Sequence, residues 1–442
     1  MAHVSQRCAD PYLPDSGDRS FGVDHYDLEL TYRPAANRLD GRATIECTAR
    51  TEISKVALDL AGLRVRTVRV DGKRARSYVH RPARHKLVVS LGAERKPDDQ
   101  FRIVVDYSGS PQPVRGPWGE VGWEELREGA LVAGQPNGAP SWFPCNDRPS
   151  DKASYRIAIT TDSPFTAIAN GRLASRRAGA GVTRWVYEQV EPMATYLATV
   201  QIGHYNIVEI PNALTTLQVA RPARIAQPVA HDLDRQGEML RCFSELFGPY
   251  PFGSYTVVVT DDPLEIPLEA QAVSIFGANH LDGQNANERL VAHELAHQWF
   301  GNSLSVARWS DIWLNEGFAC YAEWLWSEYS GGPDAQTHAA RHWKRLHELP
   351  RDLVLVDPGV DRMFDDRLYK RGALTLHALR AQLRTAAFFD LLRCWATDNR
   401  YGSVSTARFV EYAVSAGGAA ARDLLDRWLT KPRLPELPKA RS

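Results

Sequence analysis

Hydrophobic and polar positions alternate along the first half of the chain in a way that predicts short β-strands. From Tyr26 to Tyr32 every second side chain is apolar or aromatic, which is the period of a half-buried strand. Turn residues such as Asp71 and Gly72 separate the runs. The predicted strands are 26–32, 43–49, 56–60, 65–70, 86–91, 101–107 and 155–160, with a hairpin around 179–181 and an end near 202–203. Many short strands at this spacing predict an N-terminal antiparallel β-sandwich or saddle.

From about Pro211 the pattern changes to the 3.6-residue period of helices. Asn285 and Glu288 predict an N-terminal cap for a helix that Gly301 ends. A second helix is expected to begin at Ser310 or Asp311. The other predicted elements are a helical segment over 229–247, a strand over 255–260, and helices over 388–397, 406–416 and 422–429. The fold class is therefore α+β, with a β-domain followed by a mainly helical one.

The chemistry-bearing pattern lies in the first of these helices. His293 and His297 are four residues apart, so a helix places both imidazoles on one face, where they can bind one metal ion. Glu294 projects beside that ion, which suits a base that takes a proton from metal-bound water. Glu316 follows after 18 intervening residues. Two His and one Glu form a catalytic zinc set with the fourth position open to water.

Two neighbours of Glu316 on the same helix face have open roles. Cys320 and Glu323 follow Glu316 at i+4 and i+7. Glu323 is either an acceptor for a ligand imidazole or a solvated helix charge. Cys320 either lies near the metal or is a small buried packing residue.

The motifs together resemble a known family. H-E-x-x-H, an interval of 18 residues and a glutamate within W-L-N-E-G-F-A are similar to the gluzincin aminopeptidases of the aminopeptidase N and leukotriene-hydrolase family. The local text HELAHQWFGN and DIWLNEGFA agrees as well. The resemblance implies a zinc-dependent aminopeptidase that binds one Zn²⁺ per chain, acts on peptides, and uses zinc-bound water activated by Glu294.

Three further residues are assigned by this resemblance alone. Gln135 occupies the family position that faces the active site before an F-P-C-x-D-x-P loop, and Glu269 keeps only the glutamate of a G-x-M-E-N segment. Both would bind the substrate's terminal amine. Tyr369 lies in a segment similar to Y-x-K-G-A, with Arg371 where Lys is usual. Its phenol would stabilise the oxyanion.

The resemblance also implies domain boundaries. A β-domain is expected at 1–205, a thermolysin-like zinc catalytic domain at 206–430, and a disordered tail at 431–442, which contains three prolines and four basic residues. Larger family members continue into a C-terminal helical domain that roofs the cleft. The chain is expected to be a short form without that roof.

Composition excludes several other classes. The chain has 442 residues and zero formal net charge, so we expect no nucleic-acid or membrane partner. No stretch approaches the length of a membrane span or a signal-peptide core. Six scattered cysteines fit reduced thiols better than a disulfide framework. We therefore expect a cytoplasmic location and, by default, a monomer.

Two alternative functions stay open at this point. The same site could belong to an endopeptidase or an epoxide hydrolase if a free amine is not required. The fold could also serve as a binding scaffold that has lost catalysis, although the intact ligand set argues against this.

Overall fold

A computed structural model describes residues 10–438. The chain divides into two compact units. The first runs to Glu209 and includes Leu217–Ala226 and Phe252–Asn279; the second comprises Ile210–Thr216, Gln227–Pro251 and the chain from His280 onward. Residues 217–226 and 252–279, which lie beyond the predicted boundary at 205/206, thus belong to the first compact unit.

The first unit contains 21 of the strands. They are β1 (Phe21–Arg33), β2 (Arg38–Ala49), β3 (Ile53–Asp59), β4 (Arg64–Val70), β5 (Lys73–Arg74), β6 (Tyr78–Arg81), β7 (Lys86–Arg95), β8 (Gln100–Gly109), β9 (Val114–Gly116), β10 (Gly119–Leu126), β11 (Gly129–Ala133), β12 (Ala153–Asp162), β13 (Thr166–Ala169), β14 (Arg172–Gly179), β15 (Val182–Met193), β16 (Val200–Gly203), β17 (Asn206–Ile210), β18 (Thr216–Arg221), β19 (Ser254–Thr260), β20 (Leu268–Ala270) and β21 (Val273–Gly277).

These strands form four sheets. Their orders are β14-β15-β12-β1-β2-β8-β4-β5, β13-β16-β11-β10-β9, β3-β7-β6 and β17-β18-β19-β21-β20. The alternation predicted for β1 is confirmed, because Tyr26, Leu28, Leu30 and Tyr32 are all buried. Not every pair is antiparallel: β1 pairs in parallel with β12, and β19 with β21.

The two later segments join the first unit through a shared apolar core. Side chains of β18, β19, β20 and β21 pack with Ile168 of β13 and with Tyr205. Burying this apolar surface ties β18 to β21 to the β-rich unit. The hydrophobic pattern of these strands does not indicate which part of the chain they pack against. The predicted boundary at 205/206 therefore could not include them in the first unit.

The second unit is mainly helical. Its elements are α1 (Ala226–Asp232), α2 (Gln236–Phe247), α3 (Glu288–Ala296), β22 (Ser305–Val306), α4 (Trp313–Tyr329), α5 (Ala335–His347), α6 (Asp366–Leu383), α7 (Thr385–Asp398), β23 (Ser403–Val404) and α8 (Thr406–Thr430). Strands β22 and β23 pair in parallel. Helix α8 is interrupted at Gly418, whose backbone is left-handed with φ 62°, so the two helices predicted over 406–429 meet there. Within residues 10–438, no helix combines the length and apolar character that a bilayer-spanning helix needs.

The predicted starts of two helices are wrong. Helix α3 begins at Glu288 without a side-chain cap, and Asn285 has a left-handed backbone, with its carbonyl accepting a hydrogen bond from the Glu288 N–H. Before α4, the Asp311 carboxylate accepts hydrogen bonds from the backbone N–H and hydroxyl of Thr406, at 3.0 and 2.6 Å. Asp311 therefore holds the start of α8, a distant partner that local sequence cannot indicate.

The segment expected as a disordered tail is packed where the structure describes it. Residues 431–438 form no helix or strand, but Leu434 is buried and the Pro435 carbonyl accepts a hydrogen bond from Trp343 Nε1 at 2.7 Å. The Arg371 guanidinium binds the carbonyls of Leu353, Trp428, Lys431 and Pro432. Residues 439–442 lie outside the described part of the chain.

Helices α4 and α6 approach closely at two glycines. A Cβ added to Gly372 would lie 2.7 Å from Gly317 Cα, and a Cβ on Gly317 would lie 2.8 Å from Gly372 Cα. The crossing needs both positions to lack a side chain, since the opposing atoms are backbone. It fixes Glu316, next to Gly317, relative to the helix that carries Tyr369.

Gly372→Ala is therefore expected to destabilise the protein by about 1 to 3 kcal/mol through overpacking, despite the better helix propensity of Ala. Denaturant unfolding measures the change. Gly237→Ala in α2 is the matched control, because its Cβ meets only the Asn212 side-chain amide, at 3.2 Å. Equal stability of the two variants would contradict a tight crossing.

Candidate zinc centre and substrate-binding residues

Helix α3 is held in place by the aromatic residues that follow its histidines. Trp299 donates a hydrogen bond from Nε1 to the Gly248 carbonyl at 2.9 Å and packs on Phe243 and Phe247 of α2. Phe300 packs on Phe318 of α4, with 4.5 Å between ring centroids. These contacts position α3 against both α2 and α4.

The structure brings the three predicted ligands together. Glu316 Oε2 lies 3.6 Å from His293 Nε2 and 3.5 Å from His297 Nε2. All three residues are buried, and their donor atoms form a group able to hold a metal ion. Zinc bonds of about 2.0 to 2.1 Å at tetrahedral angles place neighbouring donors about 3.4 Å apart. The donor set therefore fits zinc in both chemistry and spacing.

Each of these two histidines is oriented through its Nδ1 atom. His293 Nδ1 donates to Glu323 Oε1 at 2.8 Å, and His297 Nδ1 donates to the Phe300 carbonyl at 3.0 Å. With Nδ1 protonated, the Nε2 lone pair of each ring faces the metal position. This contact supports the first interpretation of Glu323, as an acceptor for a ligand imidazole.

Glycine 301 allows the turn that brings the Phe300 carbonyl back to His297. Its φ is 121°, and an added Cβ would lie 3.1 Å from His297 Nδ1. The backbone conformation and the close approach both favour glycine there.

Glu294 and Tyr369, the two residues predicted to take part in the chemistry, lie in the same unit as the three predicted ligands. Glu294 is 4 % exposed. The Tyr369 ring stacks beside the His293 ring, with 6.3 Å between centroids and 18° between planes. Tyr369 lies in the first turn of α6, where Asp365 caps the helix by accepting from the Arg367 N–H.

The histidines and carboxylates of the site strongly shift one another's pKa values. Burial alone would lower the pKa of His293, but the carboxylates of Glu316 and Glu323 outweigh it and raise that pKa to about 9. Burial would raise the pKa of Glu316, but His297 and His293 lower it to about 2. The pKa of Glu323 is likewise lowered to about 2, by His293 and Lys370 against burial. Both carboxylates are therefore ionised near neutral pH.

Zinc uptake by metal-free protein is expected to release the His293 proton. Zinc binds the neutral imidazole, so apparent affinity should rise with pH until about pH 9, where the proton is lost anyway. Calorimetry at pH 8 in buffers of different ionisation enthalpy counts the protons released. Glu323→Gln removes one of the two carboxylates, so it should release measurably fewer protons. Equal release from both proteins would contradict the coupling.

In the first unit, the two residues assigned to the substrate amine contact each other. Gln135 Nε2 donates a hydrogen bond to Glu269 Oε1 at 2.5 Å. Glu269 lies on β20, the edge strand of its sheet, opposite Ser274 of β21. Both side chains are half-buried.

The loop that follows Gln135 has its own anchor. Ser141 Oγ donates to the Gly138 carbonyl at 2.6 Å and accepts from the Trp123 N–H at 2.9 Å. Gly138 N–H donates to the Gly134 carbonyl. The hydroxyl thus joins the loop to β10.

Some residues around the site were not found from the sequence. Arg289 donates to Glu323 Oε2 at 3.4 Å, and Lys370 donates to Cys320 Sγ at 3.3 Å. Cys320 is fully buried, so it packs between α4 and α6, as the second interpretation of that residue had it. The only signals were weak: Arg289 precedes His293 by one helical turn, and Lys370 follows Tyr369.

Two histidines and one glutamate, held together in a helical unit, are the ligand set of the zinc metallopeptidase class. Comparison with known proteins agrees. Residues 231–428 match the model of the peptidase family M1 domain, and residues 23–197 match that of the peptidase M1 N-terminal domain. The M1 zinc metallopeptidase of Deinococcus radiodurans is 32% identical, with a TM-score of 0.89 over 97% of this chain and 99% of that one. The chain belongs to peptidase family M1.

Named relatives in the family are aminopeptidases. Aminopeptidase N of Oryctolagus cuniculus is 26% identical over 66% of this chain and 34% of its own length, and aminopeptidase M1-B of Oryza sativa subsp. japonica is 24% identical over 93% and 50%. The chain thus spans between about a third and half of these relatives. A mutant of the Deinococcus enzyme was solved with a Tyr-Ser-Ala substrate, at 32% identity and TM-score 0.90 over 98% of this chain and 99% of that one.

These comparisons confirm two predictions. The fold class, an N-terminal β-rich part followed by a helical catalytic part, is that of the family. Zinc, the predicted cofactor, is the metal of the matched metallopeptidases.

Proposed function

We propose that the protein is a zinc-dependent aminopeptidase that removes N-terminal residues from peptides. The main observation that supports this proposal is the buried donor set of His293, His297 and Glu316, with both imidazoles oriented through Nδ1. The family relationship and the named aminopeptidases among the relatives support it. One Zn²⁺ per chain follows from the single proposed set.

The division of work among the side chains follows from their chemistry. When bound, zinc polarises the scissile carbonyl and lowers the pKa of a coordinated water towards about 7. Glu294 takes the proton of the attacking water and passes it to the leaving amine. Tyr369 donates its phenolic hydrogen to the oxyanion that develops on the former carbonyl oxygen. Glu323 holds His293 in the tautomer that presents Nε2.

Glu269 and Gln135 are proposed to recognise the free N-terminus. An ammonium group is costly to bury unless it is paired, and a carboxylate is the partner it needs. The Gln135 amide donates to Glu269 Oε1, so it orients this carboxylate. Gln135 itself would accept a hydrogen bond from the ammonium through its amide oxygen.

Removing the Glu269 charge is expected to reduce kcat/KM on free-amine substrates by at least about thirtyfold, as for a lost ion pair worth roughly 2 to 4 kcal/mol. N-acetylated substrates should be cleaved as before. Glu269→Gln is the sharper variant, because it keeps a hydrogen-bonding group of the same shape. Matched free and acetylated aminoacyl reporters measure the ratio. If the ratio is the same in wild type and variant, Glu269 does not read the amine and an endopeptidase is favoured.

We also propose a cytoplasmic location. Cys47, Cys145, Cys242, Cys320 and Cys394, the cysteines within the described residues, are free thiols, which is consistent with a reducing compartment. A peptide is the proposed partner, and the monomeric state stays a prediction.

A further inference from the structure

Arg371 is a buried arginine of α6 whose guanidinium contacts the C-terminal end of α8. It is 4% exposed, and within residues 10–438 its side chain donates to backbone carbonyl oxygens. Nε donates to Trp428 at 3.1 Å, Nη1 to Leu353 at 2.7 Å and to Pro432 at 3.0 Å, and Nη2 to Lys431. One side chain thus joins α6 to the loop before it, to the last turn of α8 and to the segment after α8.

The carbonyls around Arg371 explain how a buried cation is tolerated there. Burial lowers the pKa of Arg371 only to about 10, so the guanidinium is charged at neutral pH. A buried charge is costly unless hydrogen bonds compensate it. Trp428 lies in the last turn of α8, where carbonyls lack partners within the helix and form the negative end of its dipole. The planar fork of the guanidinium reaches carbonyls on several sides, whereas a lysine ammonium donates from one atom.

The stretch that Arg371 contacts is itself held by the rest of the second unit. The Leu429 carbonyl accepts a hydrogen bond from the Leu355 N–H at 3.0 Å. After α8, Leu434 is buried, and Trp343 of α5 donates from Nε1 to the Pro435 carbonyl at 2.7 Å. The end of α8 is therefore a fixed point to which α6 can be fastened.

A second arginine at the start of α6 has a different task. Arg367 donates to the carboxylates of Asp352 and Asp365, at 2.7 and 2.6 Å. Both partners precede α6 in the chain, so Arg367 holds the preceding loop onto the helix. The glycine crossing described above holds α6 against α4. Arg371 adds the connection to α8.

The same part of α6 carries the residue proposed to stabilise the oxyanion. Tyr369 precedes Arg371 by two residues in this helix, so the two side chains project about 200° apart, from nearly opposite faces. The Tyr369 ring stacks beside His293. Because the helical backbone between the two residues is rigid, hydrogen bonds on one face fix the side chain on the other. An oxyanion donor needs such accuracy, since a misplacement of about 1 Å can cost up to a hundredfold in rate.

We propose that Arg371 is a positioning residue of the peptidase site, which fixes the start of α6, and with it the Tyr369 phenol, by clamping this helix to the end of α8 and to residues 431–432. The inference rests on the proposed function for its effect on catalysis. The clamp itself can be measured without substrate.

The first test compares Arg371→Met with Arg380→Met. Arg380 is a second arginine of α6, 15% exposed and paired with Glu328 at 2.8 Å, so its loss controls for a general loss of stability. We expect Arg371→Met to lower kcat per bound zinc about 10- to 100-fold, with KM changed less than about threefold. Arg371→Lys should recover part of the loss, and it replaces Arg371→Met if that variant does not fold. Arg380→Met should keep kcat within about twofold of wild type.

A double-mutant cycle tests whether Arg371 acts through Tyr369. In a Tyr369→Phe background the hydroxyl to be positioned is gone, so adding Arg371→Met should change kcat less than about twofold. An equal fold loss in both backgrounds, or kcat of Arg371→Met within about twofold of wild type, overturns the proposal.

Amide hydrogen exchange of the zinc-loaded proteins measures the clamp independently of peptidase activity. Arg371→Met should speed exchange over residues 369–376 about tenfold or more, while Arg380→Met should leave that stretch as in wild type. Unchanged exchange in Arg371→Met would contradict the clamp. Faster exchange in this variant, together with a wild type that cleaves no peptide, would refute the proposed function and keep the clamp.

Discussion

Glu294→Gln is expected to keep zinc and to lose activity by roughly a hundredfold to ten-thousandfold in kcat. The substitution preserves volume and removes the group proposed to take the proton of the attacking water. Zinc should stay because the proposed ligands His293, His297 and Glu316 are unchanged. Metal content by atomic emission and kcat on an aminoacyl reporter are measured on the same sample.

Tyr369→Phe serves as the companion variant. It removes only the phenolic hydroxyl, so it too should retain zinc and should lose roughly a hundredfold or more in kcat through the missing oxyanion donor. Loss of zinc from either variant would mean that the residue supports the metal and not the chemistry. Undiminished turnover would remove the residue from the mechanism.

Glu316→Ala is expected to produce the other large effect, on the metal itself. Loss of a partner that merely orients a ligand costs about 10- to 100-fold in metal affinity, so loss of a ligand should exceed a hundredfold. His293 and His297 would keep their Nδ1 contacts with Glu323 and Phe300, leaving a two-nitrogen site. Competition with a chromophoric chelator measures the affinity.

Glu328→Ala on the same helix is the matched control for Glu316→Ala. Glu328 pairs with Arg380 at 2.8 Å and is partly exposed, away from the proposed ligands. It should keep the wild-type zinc affinity. If Glu316→Ala held zinc as tightly as Glu328→Ala does, the ligand assignment would be wrong.

Local pattern was sufficient to predict much of the fold and to propose the metal ligands. The period of two from Tyr26 to Tyr32 and the helical spacing of His293 and His297 reflect how side chains leave the backbone. These follow from neighbouring residues alone. The glutamate at position 316 was found by its interval and its surrounding text, since the α3–α4 packing that brings it to the histidines is long-range.

Features that depend on distant packing could not be predicted. The parallel pairing of β1 with β12 joins segments more than 100 residues apart. A helix was expected to begin at Ser310 or Asp311, but α4 begins at Trp313 and the Asp311 carboxylate binds Thr406. Gly317 and Gly372 lie in motifs recognised in the sequence, but the need for glycine at both positions comes from the close contact between two helices. The contact of Lys370 with Cys320 had no local signal, because Cys320 lies on another helix.

The most direct test of the central claim is zinc-dependent hydrolysis at a free N-terminus. Protein stripped with a chelator is assayed on matched free and N-acetylated aminoacyl reporters, then titrated with Zn²⁺. The account predicts no hydrolysis without metal, full recovery near one zinc per chain, and cleavage of the free-amine reporter with little of the acetylated one. Hydrolysis that persists without metal, or equal cleavage of both reporters by the zinc-loaded protein, would contradict it.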